Sequence, residues 1–167
     1  FNTWDASAQT ILLFAYFLGG SAGSAAGSVK IVRWVLAKKA VERSLFTSVH
    51  PDAIRAVRFD GGVVEDDTIR DVFVFLVVFL GLFAVSTVLI YLDSFRTPAV
   101  TLSGLDAMSV AIATLGNVGP GFGVVGPMNS FVPFSDAAKL YMVGLMWVGR
   151  LEVLSVLVVF TPAFWQR

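Results

Sequence analysis

The chain has 167 residues, of which 56% are hydrophobic and 14% charged, and its formal net charge is zero. Soluble domains carry about 25% charged residues, so this composition places the chain in a membrane, and a zero net charge gives no field to attract nucleic acid. The absence of cysteine excludes disulfides, thiol nucleophiles and cysteine-ligated zinc, and a single histidine cannot build a histidine-rich metal site.

The chain opens at Phe1, without methionine or a signal-peptide pattern, and is expected to be a fragment of a longer protein. Ala6 to Leu18 is apolar but too short to span a bilayer, which predicts a re-entrant or core helix with Thr3 or Asp5 as its cap. A run rich in glycine, serine and alanine follows, Gly19 to Ser28. Val29 to Phe46 carries Lys30, Arg33, Lys38, Lys39, Glu42 and Arg43, and crosses a membrane only if most of its surface meets protein or water. Residues 47–70 are polar, and Asp60-Gly61-Gly62 between β-prone runs predicts a small hairpin. Glu65, Asp66 and Asp67 then sit where a helix start favours negative charge. Val72 to Leu92 is a 21-residue stretch without a charge, bracketed by Asp71 and Asp93, and predicts a spanning helix. Gly104 to Leu115 is a second short apolar helix, capped by Ser103, and the glycine loop Leu115 to Gly121 follows it. Leu140 to Phe160 is a second span with Arg150 and Glu152 near its middle, and Pro162 and Trp165 suit its interfacial end.

Lys38, Lys39, Arg43, Arg55, Arg58 and Arg70 lie on one side of the first span, with Arg167 beyond the last; the other side offers Arg96 and Lys139. The excess of positive charge predicts that residues 47–70 and the C-terminus are cytoplasmic. A repeat is also visible. Residues 6–46 and 104–160 each read short apolar helix, glycine loop, longer segment, and Leu18–Ser24 aligns with Leu115–Gly121 so that Gly23 matches Gly119.

Three readings compete for the loops. A phosphate loop requires Gly-Lys-Ser/Thr at its end, and Lys30 comes too late; the G-x-G-x-x-G of Gly121 to Gly126 follows a helical pattern rather than a strand. Gly19, Gly23 and Gly27 have the four-residue spacing of a helix-packing face, but Pro120, Pro127 and Pro133 oppose a continuous helix in the second loop. Ion coordination by backbone carbonyls accounts for both loops: each follows the C-terminal end of a short helix, which favours a cation.

The segments "GGSAGSAAGSVKIVR", "LGNVGPGFG" and "WVGRLEVLSVLVVFTPAFW", with "VHPDAIRAVRF", together resemble the Trk/Ktr/HKT superfamily of potassium transporters, closest to the membrane subunit of prokaryotic Trk systems, over essentially the whole chain. The resemblance implies an all-α integral membrane fold of four helix, pore-helix, helix repeats around one pore. It divides the chain into a partial third repeat (1–46), a cytoplasmic linker (47–70) and a fourth repeat (71–167) with outer helix 72–92, pore helix 104–115, filter 117–121 and inner helix 138–161. It implies ion-facing carbonyls at Ser21, Ala22, Gly23 and Ser24 and at Asn117, Val118, Gly119 and Pro120, with potassium as the transported ion at Gly23 and Gly119. It assigns the family's positive residue below the filter to Arg150, and a gating break to the segment Val29 to Phe46. It further implies a homodimer and a cytosolic nucleotide-binding regulatory ring. After the central glycine the family commonly reads Ser-Thr-Ala/Gly-Gly-Gly; here the run is Ser24-Ala25-Ala26-Gly27-Ser28.

A charge in mid-span marks a functional site by default, and Arg150 and Glu152, two apart on a helix, do not face each other. Arg150 is therefore expected to form a barrier in the pore, and Glu152 to pair with a neighbouring helix. Lys30 has three open readings: pairing with a carboxylate, pairing with a helix C-terminus, or lining the pore. Asn117 is expected to brace the filter from behind, and His50 to be a solvated loop residue. The reading is potassium transport without covalent chemistry. Its rivals are a secondary transporter with broken helices and a structural subunit using glycine only for packing. An enzyme is disfavoured, because Asp5, Asp93, Asp106 and Asp136 are scattered near element ends.

Overall fold

The computed structural model describes residues 3–21, 27–51, 53, 55–98, 100–151 and 165. The fold is helical, in the order α1 (Ala6–Phe17), α2 (Ile31–Val49), a hairpin of β1 (Arg58–Phe59) and β2 (Gly62–Val63), α3 (Asp66–Arg96), α4 (Gly104–Gly116) and α5 (Asp136–Arg150).

The longest element, α3, has 31 residues and is the one helix among the described residues long and apolar enough to cross a membrane. At 1.5 Å per residue it measures about 46 Å, the thickness of a hydrocarbon core with both headgroup layers. It overruns the expected 72–92 at both ends. The bracketing charges do not stop it, because Asp66 and Asp67 at its N-terminus and Arg96 in its last turn complement the helix dipole. Val77 and Val88 on this helix are 70% and 56% exposed, as an apolar surface facing lipid or further protein would be.

Of the segment Val29 to Phe46, where a gating break is expected, Val29 and Lys30 are irregular and the rest is uninterrupted: α2 runs unbroken from Ile31 to Val49. No glycine or proline lies between those residues, so nothing in the local chemistry interrupts the helix. It also continues three residues past the expected boundary at Phe46, and irregular backbone lies before it, at Gly27 to Lys30. Likewise α5 begins at Asp136, two residues early, because the Ser135 hydroxyl accepts from the Ala138 amide at 3.1 Å. Residues 152–161 of that expected helix lie outside the described residues.

The centre of the fold is α4, packed by α1, α3 and α5. Its start is closed by a capping box: the Asp106 amide donates to Ser103 Oγ at 3.1 Å, and the Ser103 amide donates to Asp106 Oδ2 at 3.0 Å. At α1 neither Thr3 nor Asp5 makes the side-chain cap; the Asp5 carboxylate accepts from the Ser7 hydroxyl instead. Phe79, Ile112, Leu115 and Phe122 are essentially inaccessible and join α1, α3, α4 and the loop after α4 in one core.

The hairpin turns on Asp60 and Gly61, both at positive φ (48° and 79°), as a two-residue turn between right-twisted strands requires. It is clamped to the helices. Lys39 Nζ donates to the Arg58 carbonyl at 2.6 Å, Arg43 pairs with Asp66 at 2.5 Å, and Ala40, Val57 and Ile69 bury together beneath.

Candidate ion-filter site

The short helices α1 and α4 end at neighbouring glycine loops. The second loop is the better defined. Asn117 adopts left-handed backbone (φ 49°), and the amides of Asn117 and Val118 return to the Thr114 and Ala113 carbonyls at 3.4 and 3.3 Å. This closes α4 with an asparagine in the position glycine commonly takes. Val118, Gly119 and Pro120 are then exposed, whereas Gly121 and Phe122 are buried again, the Phe122 amide donating to Ser109 Oγ at 2.7 Å. Gly119 sits at φ +138° with nothing within 4 Å of where a Cβ would stand, so glycine is required there for its backbone and not for space. Among the described residues no donor reaches the carbonyls of Asn117, Val118 or Gly119.

The first loop leaves and returns through one neck. The Gly19 amide donates to the Val29 carbonyl at 2.9 Å, and the Ile31 amide to the Gly20 carbonyl at 3.3 Å. A Cβ on Gly19 would stand 2.7 Å from the Val29 carbonyl oxygen. Gly19 and Gly27 therefore do not share a helix face, and the helix-packing reading of their spacing fails. Ser21 is exposed at the start of the loop. Ala22, Gly23 and Ser24, and with them the potassium position expected at Gly23, lie outside the described residues.

The two loops are tied together behind the exposed carbonyls. The Gly27 amide donates to the Gly116 carbonyl at 2.9 Å, and Ser28 Oγ, buried, donates to the Tyr16 carbonyl at 2.8 Å. The Tyr16 hydroxyl crosses from α1 to the Pro120 carbonyl at 2.9 Å. Pro120, expected among the ion-facing carbonyls, thus commits a lone pair to a tyrosine. The Asn117 amide Nδ2 donates to the Met146 carbonyl at 2.9 Å, bracing the loop against α5. At Gly149, α5 passes so close to the end of α4 that a Cβ would overlap the Leu115 carbonyl, and a Cβ on Gly27 would lie 2.6 Å from the Gly149 carbonyl oxygen. Gly27, Gly116 and Gly149, from three elements, meet at this one place.

Lys30 is half-buried at the first position before α2, and Arg150 is exposed as the last residue of α5, directly after Gly149. Glu152 lies outside the described residues. The scattered aspartates have local roles: Asp106 in the cap of α4, Asp136 paired with Lys139 at 3.1 Å, and Asp93 accepting from Ser135 at 2.7 Å. Sequence reasoning missed Tyr16, Ser28, Gly116 and Gly149. A glycine inside the apolar pattern of the last span was the available signal for Gly149.

Tyr16→Phe removes the Tyr16–Pro120 bond and nothing bulky. A stability loss of about 1 kcal/mol is expected, read as a lower melting temperature in detergent with assembly intact. An unchanged melting temperature would show that the bond adds nothing to the hold between α1 and the second loop.

Residues 1–167 match the model of the TrkH family, described as a cation transport protein. The chain is 33% identical over 167 residues to the Trk system potassium uptake protein TrkH of Escherichia coli K12, covering 98% of this chain and 32% of that protein. It is 35% identical over 172 residues to the Trk system potassium uptake protein TrkI of Halomonas elongata, covering 100% of this chain and 33% of that one. The crystal structure of the potassium transporter TrkH from Vibrio parahaemolyticus matches the fold with a TM-score of 0.81 at 30% identity, over 98% of this chain and 33% of that chain. The chain therefore spans about a third of the length of these relatives. With the family model matched from the first residue to the last, and the fold shared with a solved member, the chain belongs to the TrkH family of cation transport proteins.

Proposed function

We propose that this chain supplies two of the four filter segments of a potassium-uptake subunit, conducting ions without covalent chemistry. The observation that carries the reading is the exposed turn Val118-Gly119-Pro120. Its Val118 and Gly119 carbonyls meet no donor among the described residues, and it is fastened to the partner loop and to α5. Backbone left irregular at membrane depth is tolerated where it lines a cavity, and carbonyls in that setting replace the hydration shell of a cation. In this reading the ion meets carbonyls at Val118 and Gly119 and at the aligned Ser21 to Ser24, with Asn117 and Pro120 holding the turn. The helices reach the loops by their C-terminal ends, which supports a cation over the anionic group of a broken-helix transporter.

Residues 47–70 and the C-terminus lie on the cytoplasmic side, by the excess of lysine and arginine there. The working unit is a homodimer, with a cytosolic nucleotide-binding ring docking on residues 38–70, the main cytoplasmic segment; cross-linking this segment to the ring tests the contact, and its absence would reject it. The fourth segment's positive residue, Arg150, adds an electrostatic barrier below the filter.

Rubidium uptake by the intact protein tests the reading: uptake should fall with added potassium and persist in excess sodium. Equal competition by sodium, or no uptake, would reject potassium transport. In the same assay Arg150→Ala should raise flux severalfold or change its voltage dependence, and unchanged transport would remove Arg150 from the barrier.

A further inference from the structure

Ser28, Ser86, Ser109 and Thr114 are the buried hydroxyl side chains among the described residues. Burying a hydroxyl costs stability unless it is bonded, and each of these has a partner. Thr114 donates to carbonyls of its own helix, Ser109 to the Asp106 carbonyl, and Ser86 shares a 2.8 Å bond with Tyr141 on α5. Ser28 differs in its place. It stands where the first glycine loop returns, and it donates to the Tyr16 carbonyl in the last turn of α1 at 2.8 Å.

The last carbonyls of a helix have no donor within it. At the end of α1 the Leu18 amide serves the Ala15 carbonyl at 3.1 Å, and Trp34 Nε1 serves that of Phe17 at 3.3 Å. The Tyr16 carbonyl between them takes the Ser28 hydroxyl. The Gly116 carbonyl lies 3.5 Å from the same hydroxyl but already accepts the Gly27 amide at 2.9 Å. The single proton of Ser28 therefore goes to Tyr16. Tyr16 is bonded at both ends: its carbonyl receives Ser28, and its own hydroxyl donates to the Pro120 carbonyl at 2.9 Å. Its ring lies 6.1 Å from that of the buried Phe122. Two hydrogen bonds in series thus run from the return of the first loop to the residue after Gly119.

We propose that Ser28 is a positioning residue for ion discrimination. Its hydroxyl fixes the last turn of α1 and, through Tyr16, sets the Pro120 carbonyl and the aim of the neighbouring Val118 and Gly119 carbonyls. The proposal rests on the filter reading above, and in it Ser28 touches no ion. The exposed turn has nothing within 4 Å of where a Cβ on Gly119 would stand. It is held at its two ends instead, by Asn117 against the Met146 carbonyl and by Tyr16 on Pro120. Slack in either fastening passes straight to the carbonyls between them.

Rubidium uptake by the intact protein in competition with sodium, read beside the melting temperature in detergent, tests this. Ser28→Ala should lower the preference for rubidium over sodium roughly fivefold, the weight of one buried hydrogen bond. Ser86→Ala removes a buried hydroxyl with a bond of equal length between α3 and α5. It should lower the melting temperature comparably and leave the preference as in the unmodified protein. In a Tyr16→Phe background the second bond of the series is already gone, so adding Ser28→Ala should reduce the preference little further. Ser28→Cys, close in size but a weaker donor, should show a smaller loss in the same direction, and it replaces the alanine variant if that one does not assemble. An unchanged preference in the assembled Ser28 variant, an equal loss in Ser86→Ala, or additive losses with Tyr16→Phe would overturn the proposal. An unmodified protein without preference for rubidium would overturn the filter reading itself, which keeps the two failures distinct.

Discussion

Gly149→Ala is expected to destabilise the protein by about 3 kcal/mol, the upper part of the usual range for an overpacked site, lowering both its melting temperature in detergent and the amount recovered from membranes. The added methyl group would overlap the Leu115 carbonyl oxygen and lie 2.9 Å from the carbon that bears it, with Asn117 Nδ2 at 3.1 Å. The obstacle is backbone, so no side-chain rotation relieves it, and α4 and α5 must separate. Separation also stretches the Asn117 bond to Met146 and the fit of Gly27 against the Gly149 carbonyl. The small size of glycine, rather than its freedom of φ, is what this position uses. A melting temperature equal to that of the unmodified protein would mean that α4 and α5 do not meet at this distance.

Gly119→Ala should have the opposite signature. Nothing stands within 4 Å of the new Cβ, but φ of +138° is a conformation that residues with side chains rarely adopt. The strain is about 1–3 kcal/mol, and the turn relieves it by rotating its peptides, which re-aims the Val118 and Gly119 carbonyls. On the proposed filter reading, the expected outcome is a protein that assembles and survives purification, yet loses most of its preference for rubidium over sodium. Measuring assembly by size-exclusion chromatography and selectivity by competition uptake separates the two glycines. If Gly119→Ala fails to assemble while selectivity is kept in what remains, the turn serves packing and not conduction.

What was legible in the sequence was local. Ser103 with Asp106 announces the start of α4, Asp60-Gly61-Gly62 announces the hairpin turn, and the uncharged run from Val72 announces a spanning helix; each signal lies within a few residues of its effect. The charges flanking that run misled about its length, because hydropathy reports where lipid ends and not where a helix ends. The break expected in α2 came from the family resemblance, whereas the residues from Ile31 to Val49 contain no breaker. The supports of the candidate site were illegible for a different reason. Tyr16 and Pro120 are 104 residues apart, and Asn117 and Met146 are 29 apart. Neither periodicity nor composition encodes such a pairing. Gly27, Gly116 and Gly149 acquire a common role only when three elements converge, so as isolated glycines they are indistinguishable from turn residues.

The unbroken course of α2 has a mechanical consequence. Nineteen residues of helix form a stiff rod of about 28 Å. At one end the Ile31 amide is fastened to the Gly20 carbonyl in the neck of the first loop; toward the other, Lys39 and Arg43 hold the hairpin and the start of α3. Without a joint between these two fastenings, the rod has no place to absorb a tilt. Pivoting it by one degree about its far end carries the Ile31 end sideways by about half an ångström, the tolerance within which preorganised sites hold their groups.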